Sequence, residues 1–270
     1  MAVEPITVLD RATSHDAASE PYAYAVVRDA LPPEIYARLS AEFPTLADID
    51  PGKAKASNKR LNLVSSWGPA ELPAEKMPES WRTFVQSHLT AAFTRQVFDL
   101  FPQVTQGTGD QRRIRLDDFG PALPSRLGLE PTVAEQDIAV RVTLGANTPV
   151  LKATSVRGPH VDSPRKAFVG LYYLRDEADD SEGGNLVIYR KADGAEVEPW
   201  VQKSDGAGME PVAEIPYAAN TLVVMLNTHD ALHGVSVRQP TPHVRRFAII
   251  SGWFPGVDRA DTSPDSLARL

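Results

Sequence analysis

Two textures of hydrophobic patterning divide the chain. In the first, apolar residues recur every three or four positions. "LPPEIYARLSAEFP" sets Ile35, Leu39 and Phe43 at i, i+4 and i+8, with Pro32 and Pro33 suited to a first turn and Pro44 to a stop. "MPESWRTFVQSHLTAAFTRQVFDLF" carries a longer stripe. Its Trp81, Phe84, Val85, Leu89, Phe93, Val97 and Leu100 predict one amphipathic helix of roughly six turns. Both helices have a single apolar face and need a surface to cover. Between them, the polar "DPGKAKASNKRLNLVSSWGP" predicts a loop with one short edge strand at 61–64.

From about residue 136 the pattern changes to short β-rich runs: "DIAVRVTL", "AFVGLYYL", "GNLVIYR", "NTLVVML", "HGVSVR" and "RRFAIISGWF". "GANTP", "DEADDSEGG" and "SDGAGM" lie between them and carry turn chemistry. Such an arrangement predicts an antiparallel sandwich or jelly roll braced by the earlier helices. No break in composition separates the halves. Residues 1–135 therefore read as helical support and lid region, and 136–270 as the β core, of one α+β unit. The stretch "KADGAEVEPWVQKSDGAGM" is expected to complete the lid.

Composition then narrows the chemistry. The 270 residues carry a formal charge of −7, without the basic footprint of a nucleic-acid binder. There is no cysteine, which excludes disulfides, zinc-thiolate sites, iron–sulfur clusters and a thiol nucleophile. Any protein-held metal must use His, Asp and Glu. The first residues lack a basic segment followed by an apolar run, and no stretch is long and apolar enough for a membrane helix. A cytoplasmic protein with a small-molecule or peptidyl substrate, and neither nucleic acid nor membrane as partner, is the expectation.

Of the histidines, His15 sits in a polar segment and His88 on the apolar stripe of a helix, where a packed residue is the simpler reading. The rest fall in the β-rich half. In "GPHVDSPRKAFVGLYYL", His160 and Asp162 point to one face of an extended segment and can grip one object together. "HDALHGVSVR" supplies His229 and His233. Their i, i+4 spacing resembles a helical zinc site, but Asp230 stands where that motif needs Glu, and His233 directly opens a strand. Two His and one carboxylate that leave coordination positions free make the facial triad of non-haem iron oxygenases. In "HVRRFAIISGW", alternation sets Arg246, Ala248, Ile250 and Gly252 on one face and Arg245, Phe247, Ile249 and Ser251 on the other. A buried arginine is costly unless paired. An inward Arg246 beside small neighbours would suit a bound dicarboxylate, and Arg245 takes that place if the strand phase slips by one. "DEADDSEGG" lacks the ordered acidic spacing of a calcium loop and reads as a solvated turn.

Taken in order and spacing, "HVD" at 160–162, "GLYYL" at 170–174, "GGNLVIYR" at 183–190, "LHGV" at 232–235 and "RRFAIISGWF" at 245–254 resemble the Fe(II)/2-oxoglutarate-dependent dioxygenases, within them the prolyl-hydroxylase-like branch. The resemblance implies a double-stranded β-helix core. It implies that His160, Asp162 and His233 hold Fe(II), that Arg246 binds the distal carboxylate of 2-oxoglutarate, and that Tyr173 hydrogen-bonds the same group. Dioxygen is then the second cosubstrate, and the reaction hydroxylates an unactivated C–H bond with release of succinate and carbon dioxide. The chain departs from the branch in the enlarged turn "QPTPH" between His233 and Arg246. Thr143 and Asn147 are candidates for lining the cofactor pocket. Arg157, Asn227, Asn58 and Arg60 are candidates on the substrate side. The competing classes are a zinc-dependent hydrolase built on His229 and His233, and a non-catalytic jelly-roll binding protein.

Overall fold

A computed structural model describes residues 6–64 and 77–256. Parts of the N-terminal segment and of the polar loop read above lie outside the described residues. In chain order the elements are β1 (Ala17–Ala18), β2 (Tyr24–Val27), α1 (Pro33–Ala41), α2 (Leu46–Ile49), β3 (Arg60–Val64), α3 (Glu79–His88) and α4 (Ala91–Leu100). There follow β4 (Thr105–Gln106), β5 (Arg113–Arg115), α5 (Leu123–Leu127), β6 (Thr132–Ala134), β7 (Ala139–Asn147) and β8 (Lys166–Tyr173). The last are β9 (Leu186–Lys191), β10 (Met209–Ile215), β11 (Thr221–Leu226), β12 (His233–Val235) and β13 (Arg245–Trp253).

The strands make a seven-stranded antiparallel sheet in the order β1-β2-β11-β8-β13-β7-β3, a facing sheet β10-β9-β12, and a small separate sheet β4-β5-β6. Side chains alternate between two cores. Val169, Tyr173, Val223, Met225, Phe247 and Ile249 of the large sheet meet Leu186, Ile188 and Ile215 of the small one. The opposite face of the large sheet, with Phe168, Tyr172, Ala248 and Ile250, packs into the main core with the helices. There Phe84 of α3 stacks on Tyr172, and Phe93 and Phe98 of α4 meet Phe168 edge-on. The helices thus cover the sheet's outer face, and the space between the sheets is left for chemistry.

Three departures from the sequence pattern have physical causes. The long stripe is two helices, because Thr90 takes an extended conformation and its hydroxyl caps α4 by accepting from the Phe93 N–H (3.1 Å), leaving Leu89 at the surface. β10 is mostly exposed, with glutamates at 210 and 214, and is interrupted by a register shift after Pro211, so it lacks the buried alternation of its neighbours. β1 and β2 extend the large sheet from the N-terminal region, which is therefore more than helical support. Among the described residues, no helix is long and apolar enough to cross a membrane.

Candidate metal centre

The site begins with two backbone segments held together. His160 and His233 form an isolated antiparallel bridge in which each N–H donates to the other's carbonyl at 2.9 Å. Gly234 permits this approach: a Cβ there would lie 3.2 Å from backbone atoms of Gly158 and Pro159. The two imidazoles therefore face one another, with ring centroids 4.3 Å apart. Asp162, two residues along, brings a carboxylate oxygen to 3.6 Å from His160 Nε2. One donor atom from each of His160, Asp162 and His233 lies within 4.8 Å of the others, the only such group of three among the described residues.

Both rings are oriented from behind. His160 Nδ1–H donates to the Gly158 carbonyl and His233 Nδ1–H to the Ala231 carbonyl, each at 2.9 Å. That fixes the tautomer and leaves each Nε2 lone pair toward the shared centre. Burial, reinforced by His160, pushes the His233 pKa down to about 3, so its ring is neutral. For Asp162 burial opposes ionisation, but Lys166 and the two histidines outweigh it and hold the carboxyl well below its usual range. Lys166 Nζ donates to the second Asp162 oxygen at 3.1 Å and rests over the Trp253 ring. Neutral imidazoles and an ionised carboxylate are the states that ligate a divalent cation.

The centre opens into a cavity between the sheets, walled by Val169, Leu171, Leu186, Phe247 and Ile249. At its far side stands Arg245, 3% exposed, with Nε donating to the Gly184 carbonyl at 2.7 Å and Nη1 to Asn147 Oδ1 at 3.3 Å. The rings of Tyr173, Tyr217 and Phe247 surround its guanidinium at 5.0, 5.0 and 5.2 Å. Gly184, at φ +75°, leaves room where a Cβ would press on the stems of Arg238 and Arg245. Among the described residues, no carboxylate lies within salt-bridge distance of Arg245. Its Nη2, the Asn147 Nδ2 and the Tyr173 hydroxyl are buried without hydrogen-bond partners. Burial raises the Tyr173 pKa against the pull of Arg245, so the phenol stays a donor.

Arg246, expected from the sequence to point inward, does not. Its guanidinium lies on the helix side of the sheet, donating to the Leu174 and Ser40 carbonyls, Ser40 Oγ and Asp176 at 3.0–3.1 Å, over the Phe43 ring. The phase was ambiguous because β13 is buried on both faces, so apolarity along it does not say which face is the cavity.

The remaining candidates separate cleanly. Arg60 and Arg157, both exposed, line the cavity at its mouth, and the buried Asn147 lines it beside Arg245. Thr143 lies on the same face of β7 as Asn147 but does not line the cavity. Asn58 is buried away from the site at φ +46°, donating to the Thr154 carbonyl and accepting from Arg238. Asn227 donates to the Ser163 and Lys166 carbonyls and anchors the chain between Asp162 and β8 from behind. His229 falls outside the cluster and lines a separate depression with Glu198 and Asp230, which removes the basis of a zinc site shared with His233. His88 is a packed residue: its Nδ1–H donates to the Phe84 carbonyl and its Nε2 accepts from the Val8 N–H. Lys166 was missed; its signal is its place four residues after Asp162, at the strand opening.

No protein-family model and no curated protein matches this chain. Solved structures similar to it include a Pseudomonas putida prolyl-4-hydroxylase, at 16% identity and TM-score 0.40, covering 86% of this chain and 93% of that one. IDO from Bacillus thuringiensis is similar at 8% identity and TM-score 0.46, covering 86% and 90%. The epimerase SnoN, solved in complex with Fe3+, alpha ketoglutarate and nogalamycin RO, is similar at 12% identity and TM-score 0.45, covering 89% and 85%. At these identities and overlaps, function has to be read from the site itself.

Proposed function

We propose that this chain is an Fe(II)- and 2-oxoglutarate-dependent dioxygenase that hydroxylates an unactivated C–H bond. The observation that carries the reading is the pairing, across one cavity, of a two-histidine, one-carboxylate cluster with a buried arginine that has no anion of its own. The strand order supports it. β7, the His160 segment, β8, β9, β10, β11, β12 and β13 distribute between the two sheets as in a jelly roll.

The residues fit both groups the reading requires. His160, Asp162 and His233 would hold Fe(II), whose neutral nitrogen and anionic oxygen donors suit a borderline cation with positions left free. Arg245 would hold the distal carboxylate of 2-oxoglutarate, with the unpartnered Tyr173 hydroxyl and Asn147 amide as further donors. When bound, the iron supplies the oxidising chemistry, coupling dioxygen and 2-oxoglutarate decarboxylation to C–H hydroxylation. The protein's own part is to orient the imidazoles through Gly158 and Ala231, to keep Asp162 ionised through Lys166, and to exclude water with the apolar wall. The reading is tested by binding 2-oxoglutarate to the Mn(II)-loaded protein by calorimetry. Saturable 1:1 binding that is lost without metal supports it, and binding that needs neither metal nor Arg245 contradicts it.

A further inference from the structure

The cavity holds more positive charge than the proposed cofactors use. A metal dication and a 2-oxoglutarate dianion cancel, Asp162 is paired with Lys166, and Arg245 faces the cosubstrate. Arg60 and Arg157 remain at the mouth of the same cavity. Neither has a carboxylate within salt-bridge distance among the described residues, although the chain as a whole carries a charge of −7. Among the described residues, Arg60 makes one side-chain hydrogen bond, from Nε to Asn62 Oδ1 at 3.2 Å, and Arg157 one, from Nη2 to the Gln202 carbonyl at 3.2 Å.

Their placement is built into the fold. Asn147 is the cross-strand partner of Arg60 on β3 and of Arg245 on β13, so Arg60, Asn147 and Arg245 form one row across three strands. Neighbouring strands are roughly 4.8 Å apart, which sets the two arginine Cα atoms about 10 Å from each other. The Arg60 guanidinium lies over the Phe247 ring at 5.6 Å, within Coulombic reach of Asp162, Arg157 and Arg245. Arg157 enters from the other side, its carbonyl accepting from the Val235 N–H two residues after His233. Asp162, the carboxylate in reach, is already paired with Lys166, and the like charges left over are unfavourable unless an anion joins them.

We infer that Arg60 and Arg157 form a clamp for an anionic group of the substrate, a carboxylate or a phosphate. The substrate's aliphatic part then lies along Leu171, Leu186 and Ile249 toward the metal centre. This rests on the dioxygenase reading and adds the substrate class to it. Planar, forked guanidiniums suit either anion and would discriminate strongly against a neutral isostere.

The test uses anaerobic protein loaded with Fe(II) and saturating 2-oxoglutarate, checked in each sample for the visible absorption of the chelate. Calorimetric titration with hexanoate, hexyl phosphate and hexanamide is run on the wild type, Arg60→Gln/Arg157→Gln and Arg60→Lys/Arg157→Lys. One anion should bind at least about tenfold more tightly than hexanamide. The Gln pair should lose that preference and the Lys pair keep part of it, with circular dichroism unchanged. Which anion wins separates carboxylate from phosphate. Equal binding of all three probes, no binding of either anion, or a preference surviving in the Gln pair overturns the clamp while the absorption is present. Absence of the absorption overturns the dioxygenase reading instead.

Discussion

The choice between Arg245 and Arg246 turns on which neighbours each guanidinium meets. Each nitrogen of Arg246 is engaged by Ser40, Leu174 or Asp176, whereas Arg245 has an unsatisfied nitrogen and, among the described residues, no carboxylate within salt-bridge distance. Arg245→Gln is therefore expected to weaken 2-oxoglutarate binding by about 3 kcal/mol, roughly a hundredfold. Arg246→Gln should leave that affinity unchanged and cost about 1–2 kcal/mol of folding stability. Calorimetry and urea unfolding on the two variants read both effects; the reverse assignment would return the role to Arg246. The triad makes an equally local prediction. His160→Ala, Asp162→Ala and His233→Ala should each abolish stoichiometric Fe(II) binding in equilibrium dialysis, and His229→Ala should retain it. The i, i+2 pairing of His160 and Asp162 was legible in sequence because an extended segment has one geometry for that spacing. The inward arginine was not, since neighbouring residues of a strand buried on both faces look alike in hydrophobicity.

At the scale of elements, the helices that brace the sheet end where capping chemistry competes with the apolar stripe. The stripe through Leu89 reads as continuous, and only the Thr90 cap breaks it. Thr90→Ala is expected to destabilise by about 1 kcal/mol, since the Phe93 N–H loses its acceptor. A stabilised variant in chemical unfolding would favour the unbroken helix, because alanine is the better helix former. His88, at the end of α3, gives the same packing a pH dependence. Burial holds its pKa at about 4, down from the usual 6.5, so the folded protein keeps it neutral. As pH falls below 6.5 the unfolded chain takes up the proton first, and stability declines until the folded form also protonates near pH 4. The loss is about 3 kcal/mol. His88→Gln should be less stable than the wild type at pH 7.5 and lose less on acidification to pH 4.5. Parallel pH profiles for the two proteins in urea unfolding would contradict this.

For the molecule as a whole, the sandwich works because its large sheet has two apolar faces with different partners. Helices α3 and α4 cover one face, and the small sheet covers the other around the cavity. The β-rich half was legible because six of its strands are short apolar runs between turn residues. β10 was hidden by its proline and its two glutamates on a mostly exposed strand, and β1 and β2 by their brevity in a region dominated by helical periodicity. The acidic chain keeps a basic cavity, a separation of charge that composition alone does not display. The central claim, that one cavity binds Fe(II) at His160, Asp162 and His233 and 2-oxoglutarate at Arg245, is tested most directly by anaerobic titration of the metal-free protein with Fe(II) and 2-oxoglutarate, followed by visible absorption. A weak charge-transfer band should appear in the wild type and in Arg246→Gln, need far more 2-oxoglutarate in Arg245→Gln, and vanish in Asp162→Ala. No band from folded wild type with iron bound, or a band unchanged in Asp162→Ala, would contradict the account.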